Sequence, residues 1–66
     1  MEYPSSHIFW INVHEGLPKE NIPVLAWEKQ GFIYVDRITD GKWEIANNNG
    51  GEVTFWMPLP EPPKEE

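Results

Sequence analysis

Apolar and polar residues alternate in short runs along this chain of 66 residues. The runs are rich in β-branched and aromatic side chains, and glycine, proline and asparagine separate them, which is the pattern of β-strands joined by turns. Seven prolines and five glycines leave almost no window long enough for an amphipathic helix. The pattern therefore predicts five strands, over residues 8–13, 24–28, 31–38, 42–45 and 53–57.

The third predicted strand is apolar on both sides. Phe32 and Tyr34 point to one side of it, and Ile33 and Val35 point to the other. A strand with two apolar sides is usually covered on both faces. We therefore expect this strand to lie in the centre of the sheet.

The dipeptide Asp40-Gly41 is the strongest local turn signal in the chain. A two-residue type I′ turn needs positive φ at both positions, which Asp and Gly tolerate. We expect a hairpin there, whose second strand holds Trp43 and Ile45 on one side. The tract Asn-Asn-Asn-Gly-Gly at residues 47–51 is then expected to be a flexible turn.

The remaining segments are predicted to be a loop and two ends. Residues 14–23 contain a glycine and two prolines among charged residues, which is typical of a loop with room for one helical turn at residues 19–21. Residues 58–63 are expected to form a stiff, proline-rich tail that packs back on the sheet. Residues 1–6 and 64–66 are expected to be flexible ends.

These elements together predict a small, mainly β domain. Five short strands without long connections favour an antiparallel meander that is curled or partly closed, so that its aromatic side is covered. A chain of 66 residues has room for one domain only. We therefore expect a single domain over residues 1–66, folded between residues 8 and 63.

Aromatic side chains supply much of the apolar surface. The chain has four tryptophans and no cysteine, so disulfides and thiolate metal sites are excluded and apolar packing must stabilise the fold. Trp10, Trp27 and Trp56 are expected to fill the core rather than an interface. Trp43 is a weaker candidate for the core, because its strand is half polar.

Acidic residues outnumber basic ones, and the formal net charge is −6 at pH 7. A charge of this sign opposes sequence-independent binding to nucleic-acid phosphates and to anionic lipids. The sequence also has no apolar run near the roughly 20 residues that span a bilayer, and no signal-peptide pattern. We therefore expect a protein of the cytoplasm that binds neither nucleic acid nor membrane.

No pattern in the chain predicts a catalytic residue, a metal site or a cofactor. His7 and His14 flank the first strand, whose ends lie roughly 20 Å apart at ~3.3 Å per residue, so a shared metal ion is not expected. The chain has no glycine-rich turn leading into a helix, the arrangement that cradles phosphates. Asp36, Asp40 and Glu44 could serve acid–base chemistry, but charges near an exposed turn are usually solvated.

Three segments of the chain carry a family resemblance. They are W-I-N-V at residues 10–13 with Leu-Pro at 17–18, V-L-A-W at residues 24–27, and V-T-F-W-M-P-L-P-E-P-P at residues 53–63. The sequence resembles the small phage and prophage family known as domain of unknown function 551. The resemblance implies a phage or bacterial origin and a compact domain, with no established activity. It makes these motif positions structural anchors: Trp10, Leu17, Pro18, Trp27, Trp56, Pro58 and Pro60.

These observations favour a non-enzymatic phage or prophage accessory protein that binds another protein through an acidic surface and an aromatic patch. The partner is expected to be a host or phage protein, with a basic surface as one option, and a homo-oligomer is left open. Two alternatives remain: a small module that binds single-stranded nucleic acid, and a small hydrolase with a carboxylate or metal site. The candidate binding residues surround the predicted hairpin: Tyr34, Asp36, Asp40, Trp43 and Glu44.

Overall fold

The computed structural model of the protein describes residues 10–60. They form a four-stranded sheet, a two-stranded sheet and one short helix, so the chain is mainly β, as predicted. No helix in this part of the chain is long and apolar enough to cross a membrane. In chain order the elements are β1 (Ile11–Asn12), β2 (Val24–Glu28), β3 (Ile33–Asp36), β4 (Ile38–Thr39), β5 (Lys42–Trp43), α1 (Glu44–Asn49) and β6 (Val53–Pro58).

The larger sheet is antiparallel throughout and has the strand order β1-β6-β2-β3. A meander would place each strand beside its neighbours in sequence, whereas here the last strand lies between the first two. This position lets β6 form backbone hydrogen bonds along both of its edges, to β1 and to β2. The predicted meander order is therefore wrong, and the sheet is open rather than closed.

β3 lies at one edge of this sheet and pairs, among the described strands, with β2 alone. Its side chains divide as predicted: Tyr34 is half-buried on one side, while Ile33 and Val35 are 51% and 46% exposed on the other. The predicted central position is wrong. Alternation tells which residues share a side of a strand, but it does not tell what covers that side.

β4 and β5 form the hairpin predicted at Asp40-Gly41. The φ angles of the two turn residues are 54° and 79°, both positive as a type I′ turn requires. The flanking residues Thr39 and Lys42 pair across the hairpin. This local prediction from the sequence is confirmed.

Residues 14–23 form a loop, as predicted, but residues 19–21 contain no helical turn. Asn21 has a φ of 67°, in the left-handed region, which interrupts any right-handed turn there. Two hydrogen bonds fasten the loop to the hairpin instead. The Glu20 carboxylate accepts the N–H of Gly41 at 3.0 Å, and the N–H of Asn21 donates to the carbonyl of Ile38 at 2.8 Å.

α1 begins at Glu44, where the sequence predicts that a strand continues. The residue before the helix, Trp43, provides no side-chain cap. Asp36 provides one from β3: its Oδ1 accepts the N–H of Ile45 at 2.9 Å and its Oδ2 accepts that of Ala46 at 3.0 Å. The first backbone donors of a helix have no partner within the helix, so this carboxylate favours the helical start. The predicted strand is wrong beyond Trp43.

The predicted flexible turn at residues 47–51 is also corrected. Its three asparagines form the last turn of α1, and Gly50 ends the helix with a φ of 73°. The N–H groups of Gly50 and Gly51 both donate to the carbonyl of Ala46. The Gly51 bond is the 6→1 bond of a Schellman motif and the Gly50 bond is the 5→1 bond of an αL cap, so the left-handed glycine ends the helix with the Ala46 carbonyl satisfied.

The buried core consists of small and medium side chains rather than tryptophans. Trp10, Trp27 and Trp56 are only half-buried, so the expectation that they fill the core is wrong. Trp43, the weaker candidate, is the tryptophan that packs against the cluster at the centre of the core. Within residues 10–60 the buried apolar residues are Val24, Ala26, Ile38, Ala46 and Val53.

The chain ends fall partly beyond the described residues. β6 continues through Pro58, one residue past its predicted end, and Pro58 pairs with Val24. Leu59 is 40% exposed. The rest of the predicted docking tail, residues 61–63, and both predicted flexible ends lie outside the described residues.

Candidate binding surface

The four-stranded sheet has two different faces. One face packs against α1 and the hairpin, and we call it the covered face; it holds Ile11, Val13, Val24, Ala26, Glu28, Tyr34, Asp36, Val53 and Trp56. The other we call the open face. Pairing in register puts directly opposite residues on the same side of a sheet, which assigns the following residues to the open face: Trp10, Asn12, Leu25, Trp27, Ile33, Val35, Phe55 and Met57.

The open face is almost entirely apolar. Ile33, Val35 and Phe55 are exposed, and its other members are half-buried. Its one polar side chain is Asn12, whose Oδ1 accepts the N–H of His14 at 2.8 Å. Within residues 10–60 the face carries no ionisable side chain. A continuous apolar face of this kind is typical of an interaction surface rather than of ordinary protein surface.

An aromatic cleft lies on the open face at the β1 side. Trp10 and Trp27 meet edge to face, with ring centroids 5.6 Å apart and an interplanar angle of 69°. Together with Phe55 they line a shallow, mostly apolar depression. Strand pairing fixes Trp27 and Phe55 directly opposite each other, and Trp10, the residue before β1, packs edge to face against Trp27.

The covered face holds two buried carboxylates, each with a structural task. Asp36 is 2% exposed and accepts three backbone N–H groups: the two at the start of α1, and that of Arg37 at 2.7 Å. Those bonds replace the water that a buried charge loses. Asp36 is therefore a part of the fold that joins β3 to α1, and its side chain does not form part of an acidic surface.

Glu28, 8% exposed, is the second buried carboxylate. The Tyr34 hydroxyl donates to its Oε2 at 3.2 Å. Burial raises the pKa of Tyr34 above its ordinary value of 10.0, and the hydrogen bond to Glu28 and the negative charges of Glu28 and Asp36 raise it further. Gly51 lies against the Glu28 carboxylate, where a Cβ would collide with it. The absence of a side chain at Gly51 thus makes room for Glu28.

The predicted binding residues around the hairpin do not form one exposed patch. Tyr34 and Trp43 pack against the core cluster, and Asp36 caps α1. The Glu44 carboxylate accepts hydrogen bonds from Arg37 Nε at 2.9 Å and from the Thr39 hydroxyl at 3.1 Å. The Arg37 bond, then the Thr39 bond and the Arg37 charge, lower the pKa of Glu44 below 4.5. Asp40 is exposed at the turn.

The motif anchors lie along the β1–β6–β2 part of the sheet and the loop beside it. Trp56 is on the covered face, and its indole N–H donates to the carbonyl of Gly16 at 2.9 Å, which ties the loop to β6. Trp10 and Trp27 lie on the open face. Leu17 is 51% exposed and Pro18 half-buried in the loop, while Pro58, the last residue of β6, and Pro60 beyond it are exposed.

The open face contains residues that no sequence pattern marks as a site. The sequence places Leu25, Phe55 and Met57 on strands but in no site, and it predicts a covered side for Ile33 and Val35. Their signal was present in the sequence as strict alternation within three strands. Only the order of the strands brings them onto one face.

Metal coordination has no candidate in the described part of the chain. Between residues 10 and 60 no three His, Asp or Glu side chains gather closely enough to hold a metal ion. His14 is exposed in the loop. His7 lies outside the described residues.

The comparisons with known proteins agree with the motif resemblance. A family model described as protein of unknown function (DUF551) matches residues 9–64. The chain therefore belongs to this family. No curated protein and no solved structure matches the chain.

Proposed function

We propose that this member of the DUF551 family is a non-enzymatic binding module whose open face docks on another protein. The occupant we propose is a folded protein that presents an apolar patch bordered by basic side chains. The open face itself is the observation that carries the proposal. Seven apolar side chains share it, six from β2, β3 and β6 and one from Trp10 just before β1, and none of the described residues covers it.

The aromatic cleft supplies the features of an anchor point. Trp and Tyr side chains in well-packed depressions contribute most to binding energy at protein interfaces, and residues around them mainly exclude water. Trp27 and Phe55 are held by paired strands and Trp10 packs against Trp27, so little conformational entropy is lost when a partner covers them. Any contact there removes apolar area from water.

Charge complementarity favours a basic partner. The chain carries a net charge of −6, and Glu15, Glu20, Asp40 and Glu52 are exposed. None of them belongs to the open face, so they would attract a basic partner without being buried in its contact. Steering of this kind raises the association rate and is screened by salt, over about 8 to 10 Å at physiological strength.

Origin and location are proposed on the motif resemblance. We propose that the chain is encoded by a phage or prophage and works in the cytoplasm of the bacterial host. Its partner is then a host or phage protein present in that compartment.

A matched pair of variants tests the proposal. The chain is immobilised and exposed to bacterial cytoplasm, and each captured protein is purified and measured again with wild type, Phe55→Ser and Leu17→Ser. Phe55 lies on the open face and Leu17 does not, while both side chains are large, apolar and exposed. We expect Phe55→Ser to weaken binding at least tenfold, about 1.4 kcal/mol, and Leu17→Ser to leave it unchanged.

The salt dependence provides the second arm of the same test. The association rate with the purified partner should fall as salt rises, and the dissociation rate should change little. A partner that binds Phe55→Ser as tightly as wild type would contradict the proposal. Binding of labelled single-stranded DNA that is lost in Phe55→Ser, without any protein partner, would replace it with the nucleic-acid alternative.

A further inference from the structure

The outer edge of β3 carries unpaired backbone groups. The N–H of Glu28 donates to the carbonyl of Phe32 at 2.8 Å, so these two directly opposite residues form a hydrogen-bonded pair between β2 and β3. In an antiparallel ladder hydrogen-bonded pairs alternate with non-hydrogen-bonded ones. Tyr34 and Asp36 therefore bond to β2, whereas the N–H and C=O groups of Ile33 and Val35 point outward, away from it.

No described residue protects this edge from pairing with another strand. Protected edges usually carry a charged side chain, a proline or a bulge. β3 has none of these at Ile33, Tyr34 or Val35. The ladder ends at Arg37, whose N–H donates to the Asp36 carboxylate and whose carbonyl accepts the N–H of Glu44. The open backbone edge is therefore short and has a defined end.

We propose that the occupant of this edge is a second copy of the same chain, whose β3 pairs antiparallel with the first about a two-fold axis at Tyr34. Ile33 of each copy then lies opposite Val35 of the other. Each of these two pairs exchanges two N–H···O=C bonds, so all the outward groups of both residues are satisfied. The four-stranded sheets join into one sheet of eight strands.

The exposed apolar side chains next to the edge favour a second copy over an unrelated strand. In this register Phe32 of one copy lies opposite Asp36 of the other. Ile45, whose N–H binds the Asp36 carboxylate, lies beside that position and lines a shallow pocket with Val35 and Arg37. Phe32 and Ile45 are 60% and 42% exposed in the single chain. The dimer therefore brings together two side chains that the single chain leaves in water.

The proposed pairing also enlarges the open face. Four strands about 4.8 Å apart, each with about four residues at ~3.3 Å, make a face of roughly 250 Å² in the plane of the sheet. Directly opposite residues share a face, so the two open faces become continuous and their size doubles. That brings them nearer to the roughly 800 Å² that each partner contributes to a standard interface.

Hydrogen exchange of single amides tests the pairing directly. We expect the amides of Ile33 and Val35 to exchange several-fold more slowly as the concentration rises from about 10 μM to about 1 mM, the range of weak association. The amides of Tyr34 and Asp36 bond within the chain and should be protected at every concentration. Sedimentation over the same range should show the mass rising from 7.7 kDa toward twice that value.

Variants separate edge pairing from other self-association. Val35→Pro removes an outward donor that the single chain does not use, and Ile33→Lys places a charge at the edge. Both variants should stay monomeric, with a mass near 7.7 kDa at every concentration, and should keep the circular dichroism of the wild type. Ile22→Lys is the matched control, since Ile22 is 48% exposed and lies in the loop. It should dimerise like wild type. Phe55→Ser leaves β3 unchanged and should also dimerise, so this inference can fail or hold independently of the proposed function.

Salt gives a further distinction. Two chains with a net charge of −6 repel each other, so added salt should strengthen the dimer, whereas it should slow the binding of a basic partner. Three results would overturn the inference. They are a mass of 7.7 kDa at 1 mM, a dimer whose affinity Val35→Pro does not change, and exchange at Ile33 and Val35 that is independent of concentration.

Discussion

The two faces of the four-stranded sheet have similar alternation in sequence but opposite roles. The covered face combines small apolar side chains, such as Ala26 and Val53, with two carboxylates that have structural partners. The open face carries larger apolar side chains and no described charge. In a chain this short, α1 and the hairpin can cover only one side of the sheet. Small residues therefore make most of the buried core, and the large apolar residues of the open face are left uncovered by the described chain.

The largest effect on stability is expected at Asp36, whose carboxylate joins the covered face of the sheet to α1. Asp36→Ala removes the acceptor of three backbone N–H groups, two of them at the start of the helix. We expect a loss of about 2 to 3 kcal/mol in the free energy of unfolding, measured with urea. Glu15→Ala is the control, because Glu15 is exposed; it should change stability by less than about 0.5 kcal/mol. Equal effects of the two changes would contradict the role of Asp36.

The same substitution, valine to alanine, compares how much each face contributes to stability. Val24 on the covered face is 3% exposed, and Val35 on the open face is 46% exposed. Val24→Ala should cost about 2 kcal/mol, because it removes buried methyl groups and leaves a cavity. Val35→Ala should cost less than about 1 kcal/mol at a concentration where the chain is monomeric. A larger loss at Val35 than at Val24 would mean that the faces have been assigned the wrong way round.

The glycine beside Glu28 should show a smaller effect. In Gly51→Ala the added Cβ displaces the Glu28 carboxylate from its position on the covered face. We expect this to lower the free energy of unfolding by about 1 to 2 kcal/mol. Gly16 is the matched control, because a Cβ there meets nothing within 4 Å. Thermal unfolding of the two variants measures the difference. If Gly16→Ala lowered the melting temperature as much as Gly51→Ala, crowding at Glu28 would not be the cause.

The sequence predicts the local features of this fold better than its long-range ones. The Asp40-Gly41 turn and the sides of β2 and β3 follow from φ preferences and alternation, which neighbouring residues decide. In β6 strict alternation fails, because a register shift opposite Trp27 and Glu28 puts Val53 on the covered face and leaves Phe55 and Met57 on the open face. The position of β6 between β1 and β2 depends on pairs such as Ala26 with Trp56, which are far apart in the chain. The start of α1 depends on Asp36, eight residues before Glu44, and no local pattern reveals a cap from another strand.

The candidate binding surface also combines local features, which the sequence predicts, with long-range ones, which it does not. The sequence predicts binding residues among the polar and aromatic side chains near the hairpin, whereas Asp36, Tyr34 and Trp43 have structural roles within the fold. The open face could not be assembled from the sequence, because its members come from four strands whose order was unknown. Alternation alone also could not tell which side α1 covers.

The smallest expected effect concerns the pH dependence of Glu44. Its pKa is lowered in the folded state, first by the Arg37 hydrogen bond, so the bond stabilises the fold above the unfolded pKa, near 4.5. That stabilisation is lost as the pH falls through the lower folded pKa. The melting temperature of Glu44→Gln should therefore lie slightly below that of wild type at pH 7, and the difference should vanish well below pH 4.5. The side chains are 49% and 41% exposed, so the effect is small. A difference that grows on acidification would contradict the role of this ion pair.

Methyl NMR with a dissolved paramagnetic agent tests the contrast between the faces most directly. Relaxation of each methyl group then reports its access to solvent, and the valines and isoleucines of this chain sample both faces. At a dilution where the chain is monomeric, we predict strong enhancement at Ile33 and Val35 and weak enhancement at Val24 and Val53. Equally weak enhancement at all four residues would contradict the account, because it would mean that the open face is covered within the single chain.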